Sequence, residues 1–221
     1  MGLRLPGSPR EPGICHLNRI PIRECGEELV DLLTGCSGML IKAKLSLLRK
    51  TAAQMLQKAQ DSLPDSYALQ VSTALRTYET QSKGYFGYLE KLREQHPEWG
   101  QAVLRREANK FWHPPDQKAP PGHCTGGAVD VNLVGPDGVE KEMRAALKEG
   151  INTNPTYVRW LTPEARANRE ILIAAMTGAG FSNCYDEWWH WSYGDSGWAC
   201  RTGRAWAIYG AVLDAASVGE Q

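Results

Sequence analysis

Apolar residues recur at helical spacing in several stretches of the chain. Leu45, Leu48, Ala52, Met55, Leu56 and Ala59 step by three and four, with Lys and Gln on the other face. That period predicts an amphipathic helix over 44–63, ended by Pro64-Asp65. Tyr85, Tyr88, Leu89 and Leu92 form the inner stripe of a second helix over 80–95, which Pro97 stops, and 98–111 predicts another. A later helix opens at Thr162-Pro163-Glu164, with Thr as N-cap and Pro in the first turn. It packs Ile171, Leu172, Ala175 and Met176 inward and ends at Gly178 and Gly180.

Elsewhere the period is two. Over 67–76, Leu69, Val71, Thr73 and Leu75 share one face, and Gln70, Ser72, Ala74 and Arg76 the other. This predicts a half-buried strand with a cation at its exit. From Ala128 the pattern is again a strand, with Val129, Val131 and Leu133 towards the core and Ala128, Asp130 and Asn132 opposite. Gly135-Pro136-Asp137-Gly138 is a turn, and the chain from Val139 is its expected return strand. Residues 181–193 read as strand, turn, strand, and 206–212 as a last strand. Residues 14–43 predict short irregular elements, and 142–161 a long loop with some helix. Strands and helices come in blocks rather than alternating, so the expected class is α+β. One domain over 14–221 is expected behind a flexible arm, 1–13, rich in Arg, Pro and Gly.

Charge removes some partners. Lys+Arg and Asp+Glu are both 25, so the net charge is zero and there is no basic block to displace counterions from a phosphate backbone. No nucleic-acid partner is expected. No run approaches the ~20 apolar residues of a membrane span, and the N-terminus lacks an apolar leader, so a cytoplasmic address without a membrane partner is expected. The six cysteines (Cys15, Cys25, Cys36, Cys124, Cys184 and Cys200) contain no CxxC pair and predict reduced thiols. A Cys15–Cys25 bridge would require export.

Chemistry concentrates in two places, His123–Asp130 and Asp186–Trp191. His123, Asp130 and His190 could hold a metal. Two imidazoles and a carboxylate suit zinc, which in catalytic sites keeps three protein ligands and one open position. Taken singly, each has an ordinary alternative: a hydrogen-bonded core histidine, a turn aspartate, indoles as core or pocket wall. Cys124 and Cys184 are further possible ligands without finger spacing. His123 and Asp130 lie an odd number apart, so a straight strand would oppose them, and Gly126-Gly127 must turn the chain. Glu187 and His190 pose the same problem. Glu187 must sit in a turn or bulge before the strand that carries His190.

Gly122-His123-Cys124-Thr125-Gly126-Gly127-Ala128-Val129-Asp130 resembles the S-x-H-x-x-G-x-A-x-D signature of zinc D-alanyl-D-alanine peptidases. Glu187-Trp188-Trp189-His190-Trp191 resembles the E-W-W-H signature of the D-alanyl-D-alanine dipeptidase (VanX-type) branch, and the likeness spans roughly 20–210. The resemblance implies one Zn2+ per chain on His123, Asp130 and His190. It implies Glu187 as the general base, passing a proton to the leaving amine, and Arg76 as the stabiliser of the oxyanion. The implied fold is a small antiparallel sheet carrying the zinc site, flanked by helices, as in hedgehog and D,D-peptidase domains. The implied partner is a small dipeptide such as D-Ala-D-Ala, with Trp188 and Trp189 as candidate substrate wall; the oligomeric state is left open. Departures stand at substrate positions. Pro121 replaces the family serine, Leu75-Arg76-Thr77 replaces Tyr-Arg-Pro, and Glu142-Met143-Arg144 stands where an Asp-Met-Gly-like segment is expected. Alternatives are a D,D-carboxypeptidase acting on peptidoglycan stems and a non-catalytic zinc-stabilised binding module, which would have no need of Glu187 or Arg76.

Overall fold

In chain order the elements of the computed structural model, which describes residues 4–144 and 153–213, begin with short pieces. They are α1 (Ile14–Leu17), β1 (Leu29–Asp31), α2 (Leu32–Gly35), β2 (Leu40–Ile41) and β3 (Leu47–Arg49). The longer elements follow: α3 (Lys50–Asp61), β4 (Ala68–Thr73), α4 (Tyr78–Gln95), α5 (Gln101–Ala108), a 3-10 turn (Gly122–Thr125) and β5 (Ala128–Val134). The series closes with α6 (Pro163–Ala179), β6 (Ser182–Asn183), β7 (His190–Ser192) and α7 (Ser196–Arg201).

Two sheets form, a β1-β3 pair and a five-stranded sheet in the order β2-β4-β5-β7-β6. The class is α+β, as expected. The sheet is not wholly antiparallel, because β2 pairs parallel with β4 at the edge, while β4-β5-β7-β6 are antiparallel throughout. One face of the sheet buries Leu69, Val71, Val129, Val131, Leu133 and Trp191 against Leu56 of α3 and Leu172 and Met176 of α6. Each large apolar side chain so buried contributes about 1.5–3 kcal/mol. A satellite core joins Tyr85, Leu89 and Leu92 of α4 to Leu104 and Ala108 of α5. Trp112 lies flat on α4 at Gly84, where a Cβ would stand 2.2 Å from its ring. A second-helix glycine is thus required by an indole that also faces the cleft described below.

Several expectations change. Residues 47–49, inside the expected first helix, are strand β3, because they pair with Leu29–Asp31 before the chain turns into α3 at Lys50. Leu45 and Leu48 fit only the helical period, and pairing with β1 overrides it. The return strand after 135–138 reduces to one bridge, Val134 to Glu140. Residues 206–212 form no strand and touch Ile22 through a single bridge at Ala207. The six-residue α7, capped by Asp195 accepting from the Trp198 N–H, stands where no helix was expected. The α6 start is as expected, with Thr162 accepting from the Ala165 N–H, and Gly180 closes it at φ 111°. The expected loop with some helix falls partly on 145–152, outside the described residues. All six cysteines are free thiols.

Candidate metal centre

Strand register places the first two donors. Asp130 of β5 pairs directly with His190 of β7. His123 arrives from the 3-10 turn, which Gly126 ends at φ 71°, a left-handed conformation that favours glycine. The Thr125 hydroxyl donates to the Gly122 carbonyl at 2.7 Å and accepts from the Gly127 N–H at 3.0 Å, locking the return. Gly127 is fixed by close approach, since a Cβ there would stand 2.3 Å from the Tyr193 carbonyl oxygen. Arg49 braces the turn from outside, donating to the carbonyls of Thr125 (3.0 Å) and Glu27 (2.6 Å).

The three donor atoms then close on one point. Asp130 Oδ1 lies 3.1 Å from His123 Nε2 and 2.9 Å from His190 Nδ1, and the two ring nitrogens are 3.1 Å apart. Ligand atoms around a tetrahedral zinc at roughly 2.0–2.2 Å stand about 3.3 Å apart. The set therefore fits an ion of that size with little movement. The His123 tautomer supports the fit. Its Nδ1–H donates to the Ala74 carbonyl at 2.9 Å, which leaves the Nε2 lone pair facing the other donors. Burial alone would raise the Asp130 carboxyl, but the charge and N–H groups of His123 and His190 outweigh it and hold it well below the usual range. Burial disfavours a proton on His190, yet Asp130 and Glu187 overcome that and raise it. A bound cation would take the place of the His190 proton that Asp130 and Glu187 favour.

Glu187 occupies the position the spacing required. It lies in the turn before β7, donating its N–H to the Cys184 carbonyl at 3.1 Å and accepting from the His190 N–H at 3.1 Å. It is half-buried, and burial raises its carboxyl above the usual value; His190 offsets part of this and the Asp130 charge adds to it. Arg76 follows β4 rather than ending it. Its N–H donates to the His123 carbonyl at 3.1 Å, so it is tied to the same turn. Its Nη1 donates to Gln81 Oε1 at 2.9 Å, and its guanidinium lies 5.4 Å from the Trp112 ring centre. Both Arg76 and Glu187 line one cleft of about 630 Å³ with the three donors.

Trp188 and Trp189 diverge. Trp189 lines both this cleft and a second pocket that shares Asp130, whereas Trp188 is buried and lines only the second. Spacing did not single out Gln81, which orients Arg76 and donates to the His113 carbonyl at 2.8 Å. His113 also lines the cleft, its ring donating to the Ala119 carbonyl at 3.0 Å and its pKa lowered chiefly by burial. The Trp112-His113-Pro114 cluster was the available signal, since an aromatic and an imidazole before a proline-rich loop are unusual among exposed residues.

Known proteins share much of this chain. A family model described as D-ala-D-ala dipeptidase, peptidase family M15, matches residues 33–205. A D-alanyl-D-alanine dipeptidase of Synechocystis sp. is 29% identical over 109 residues, covering 43% of this chain and 44% of the relative. One from Escherichia coli is 32% identical over 94 residues, covering 42% and 49%. The chain thus spans about half the length of the curated relatives it matches. Two solved structures, VanYB in complex with D-alanine-D-alanine and a VanY D,D-pentapeptidase variant in complex with Zn(II), align at 17% identity and a TM-score of 0.47. They cover 88% and 87% of this chain and 90% and 95% of theirs. The family match includes Arg76, His123, Asp130, Glu187 and His190 and extends over most of the sequence, so the chain belongs to the D-ala-D-ala dipeptidase family of M15 peptidases.

Proposed function

We propose that the chain is a zinc-dependent dipeptidase that hydrolyses D-Ala-D-Ala or a similar small dipeptide. The observation that carries this is the convergence of two imidazoles and a carboxylate on one point, with their ligand atoms all within 4.8 Å, in a cleft shared with Glu187 and Arg76. His123, Asp130 and His190 would hold the ion. Zinc supplies Lewis acidity, polarising a carbonyl oxygen and making water easier to deprotonate. The remaining work belongs to the chain. Glu187, with a pKa already raised towards neutrality by burial, accepts a proton from the attacking water and returns it to the departing amine. Arg76 has a spare N–H face beyond its bond to Gln81 and offers positive charge to the oxygen on which negative charge develops. Curated relatives carry the name of this activity, which supports the substrate class.

The test is one assay with one control. Bound zinc is measured alongside the amino acids released from D-Ala-D-Ala, L-Ala-L-Ala and a stem pentapeptide, for the parent and Glu187→Ala. Loss of hydrolysis with zinc retained is expected. Unchanged hydrolysis in Glu187→Ala would remove the base assignment. Full activity without metal would end the metallopeptidase proposal, and a preference for the pentapeptide would move it to a D,D-carboxypeptidase.

A further inference from the structure

The segment ahead of the family match is attached at the turn that carries Glu187. Glu11 lies before residue 33, where the match begins, and its carboxylate makes two unrelated ties. Oε2 accepts from the Tyr185 N–H at 2.9 Å. Oε1 accepts from Arg201 Nη1 at 2.6 Å. Arg201 is almost fully enclosed and spends its other donors on the two strands that flank the turn, Nε on the Ser182 hydroxyl at 3.1 Å and Nη2 on the Ser192 hydroxyl at 2.6 Å. The next residue, Asp186, forms an ion pair with Arg4. Arg4 is itself anchored by a bridge to Val158, and the Leu5 N–H donates to the Tyr157 carbonyl at 3.2 Å. Both residues immediately before Glu187 are therefore held from the arm, one through its backbone and one through its side chain. Glu11 also lines the cleft.

β6 is two residues long and β7 three. The connection between them is held at its carbonyls, with the Asn183 side-chain amide donating to those of Glu187 (3.2 Å) and His190 (3.1 Å) and the Thr156 N–H to that of Tyr185 (3.2 Å). These bonds leave the Tyr185 N–H and the Asp186 side chain to the arm. A carboxylate that must reach a reacting water within hydrogen-bond distance cannot tolerate a loop wandering by an ångström; such a displacement lowers turnover by ~100-fold. We propose that Glu11 is a positioning residue for Glu187: bridging Arg201 and the Tyr185 N–H, it fixes the 184–187 turn, with the Arg4–Asp186 pair as a second tie. The inference rests on the role given to Glu187 above.

Steady-state kinetics on D-Ala-D-Ala test it, with bound zinc measured in every variant. Glu11→Ala is expected to lower kcat by roughly 10–100-fold, with KM and zinc content little changed. Glu11→Gln keeps an acceptor for only one of the two donors and is expected to recover part of that loss. Arg4→Ala, at a more exposed pair, is expected to lower kcat by only a few-fold and keeps the idea testable if Glu11→Ala fails to fold. The decisive arm is the double variant. Read on the residual hydrolysis of Glu187→Ala at high enzyme concentration, the Glu11 substitution is expected to have no further effect, because coupled residues do not add. An equal further loss in that background would overturn the proposal, as would a normal kcat in Glu11→Ala. If Glu187→Ala alone leaves activity intact, the base assignment fails, which is distinct from failure of the Glu11 tie.

Discussion

Arg169 is a buried cation with no carboxylate facing it among the described residues, and its replacement should be among the most damaging changes away from the metal centre. It is 2% exposed on α6. Its Nε donates to the Met143 carbonyl at 2.7 Å, Nη1 to those of Pro155 (2.7 Å) and Thr156 (3.1 Å), and Nη2 to that of Thr153 (2.6 Å). The guanidinium lies 5.3 Å from the Trp188 ring centre, and the Trp188 backbone N–H donates to the Asn154 carbonyl at 2.9 Å. One side chain thus fastens a strandless segment to α6, and that segment in turn fastens the turn between Glu187 and His190. Desolvation is the largest influence on its pKa, which falls to about 10, so it stays charged at neutral pH.

Arg169→Met removes four charge-assisted bonds at roughly 1.5–3 kcal/mol each, a gross loss of about 6–12 kcal/mol. Relief from burying the charge offsets several kcal/mol of that, leaving a net destabilisation of about 3–5 kcal/mol. Total stabilities of ~5–15 kcal/mol make this a large fraction. With an m-value of roughly 2 kcal/mol per molar, the urea midpoint should fall by about 2 M. Arg169→Lys keeps the charge but offers one nitrogen to carbonyls spread over residues 143–156, and should lose about half as much. Tryptophan emission should report the loosening around Trp188 before global unfolding. A midpoint shift under about 0.5 M at an unchanged m-value would refute the clamp.

Other outcomes follow from the same geometry. Gly127→Ala places a Cβ where the Tyr193 carbonyl oxygen stands and should destabilise by about 1–3 kcal/mol in thermal melts; full stability would show that β5 and β7 can part without harm. Zinc at about 100 times its Kd should stabilise the folded chain by ~2.7 kcal/mol, and His123→Ala should abolish that increment. An equal increment in His123→Ala would remove His123 from the ligand set. For metal-free protein, Glu187→Gln should gain stability over the parent as pH rises. The folded Glu187 pKa is raised, so the folded state binds its proton more tightly than the unfolded chain, and the parent loses stability between the unfolded and folded values. The two proteins should match below the unfolded carboxyl value, about pH 4, and separate progressively as pH rises above it, as urea midpoints will show.

Much of the fold was legible where one period dominates. α4 begins at Tyr78 and ends at Gln95, close to its stripe of Tyr85, Leu89 and Leu92, and α6 starts at the Thr162-Pro163 signal. β5 follows its alternation, though its second face is largely buried too, because Asp130 faces the two histidines and Glu140 lies over Gln70 and Asn132, accepting from both side chains. Failures occur where pairing partners decide. Leu47 and Leu48 belong to β3 only because Asp31 and Val30 lie opposite, and no local pattern contains that fact. The chain after Ala207 has strand-like residues without a strand edge to pair with beyond Ile22. The α7 signal was present in Asp195-Ser196-Gly197, an N-cap without a following apolar stripe long enough to be read as a helix.

The metal donors were legible for a different reason: their constraints are local. An odd spacing with two glycines between His123 and Asp130 forces a turn, and the His190 side of the site demands that Glu187 leave the strand. Both follow from chain geometry, and both are found at φ 71° in Gly126 and in the turn before β7. What joins the two halves, the Asp130-to-His190 register, is not local, since a one-residue slip would turn His190 to the other face. The contacts made by Arg76 and by the turn before Glu187 are less local still. Gln81 reaches Arg76 across five residues, but Glu11 reaches Tyr185 across 174 and Arg201 across 190. A polar residue in an arm of arginines and prolines has no period, no motif and no neighbour that betrays such a partner. Its signature is energetic rather than sequential, a carboxylate satisfying both a buried guanidinium and a backbone N–H. The candidate ligands are therefore the part of this site that sequence exposes, whereas the contacts of Glu11 and Arg4 with the turn before Glu187 are tertiary and sequence spacing leaves them unmarked.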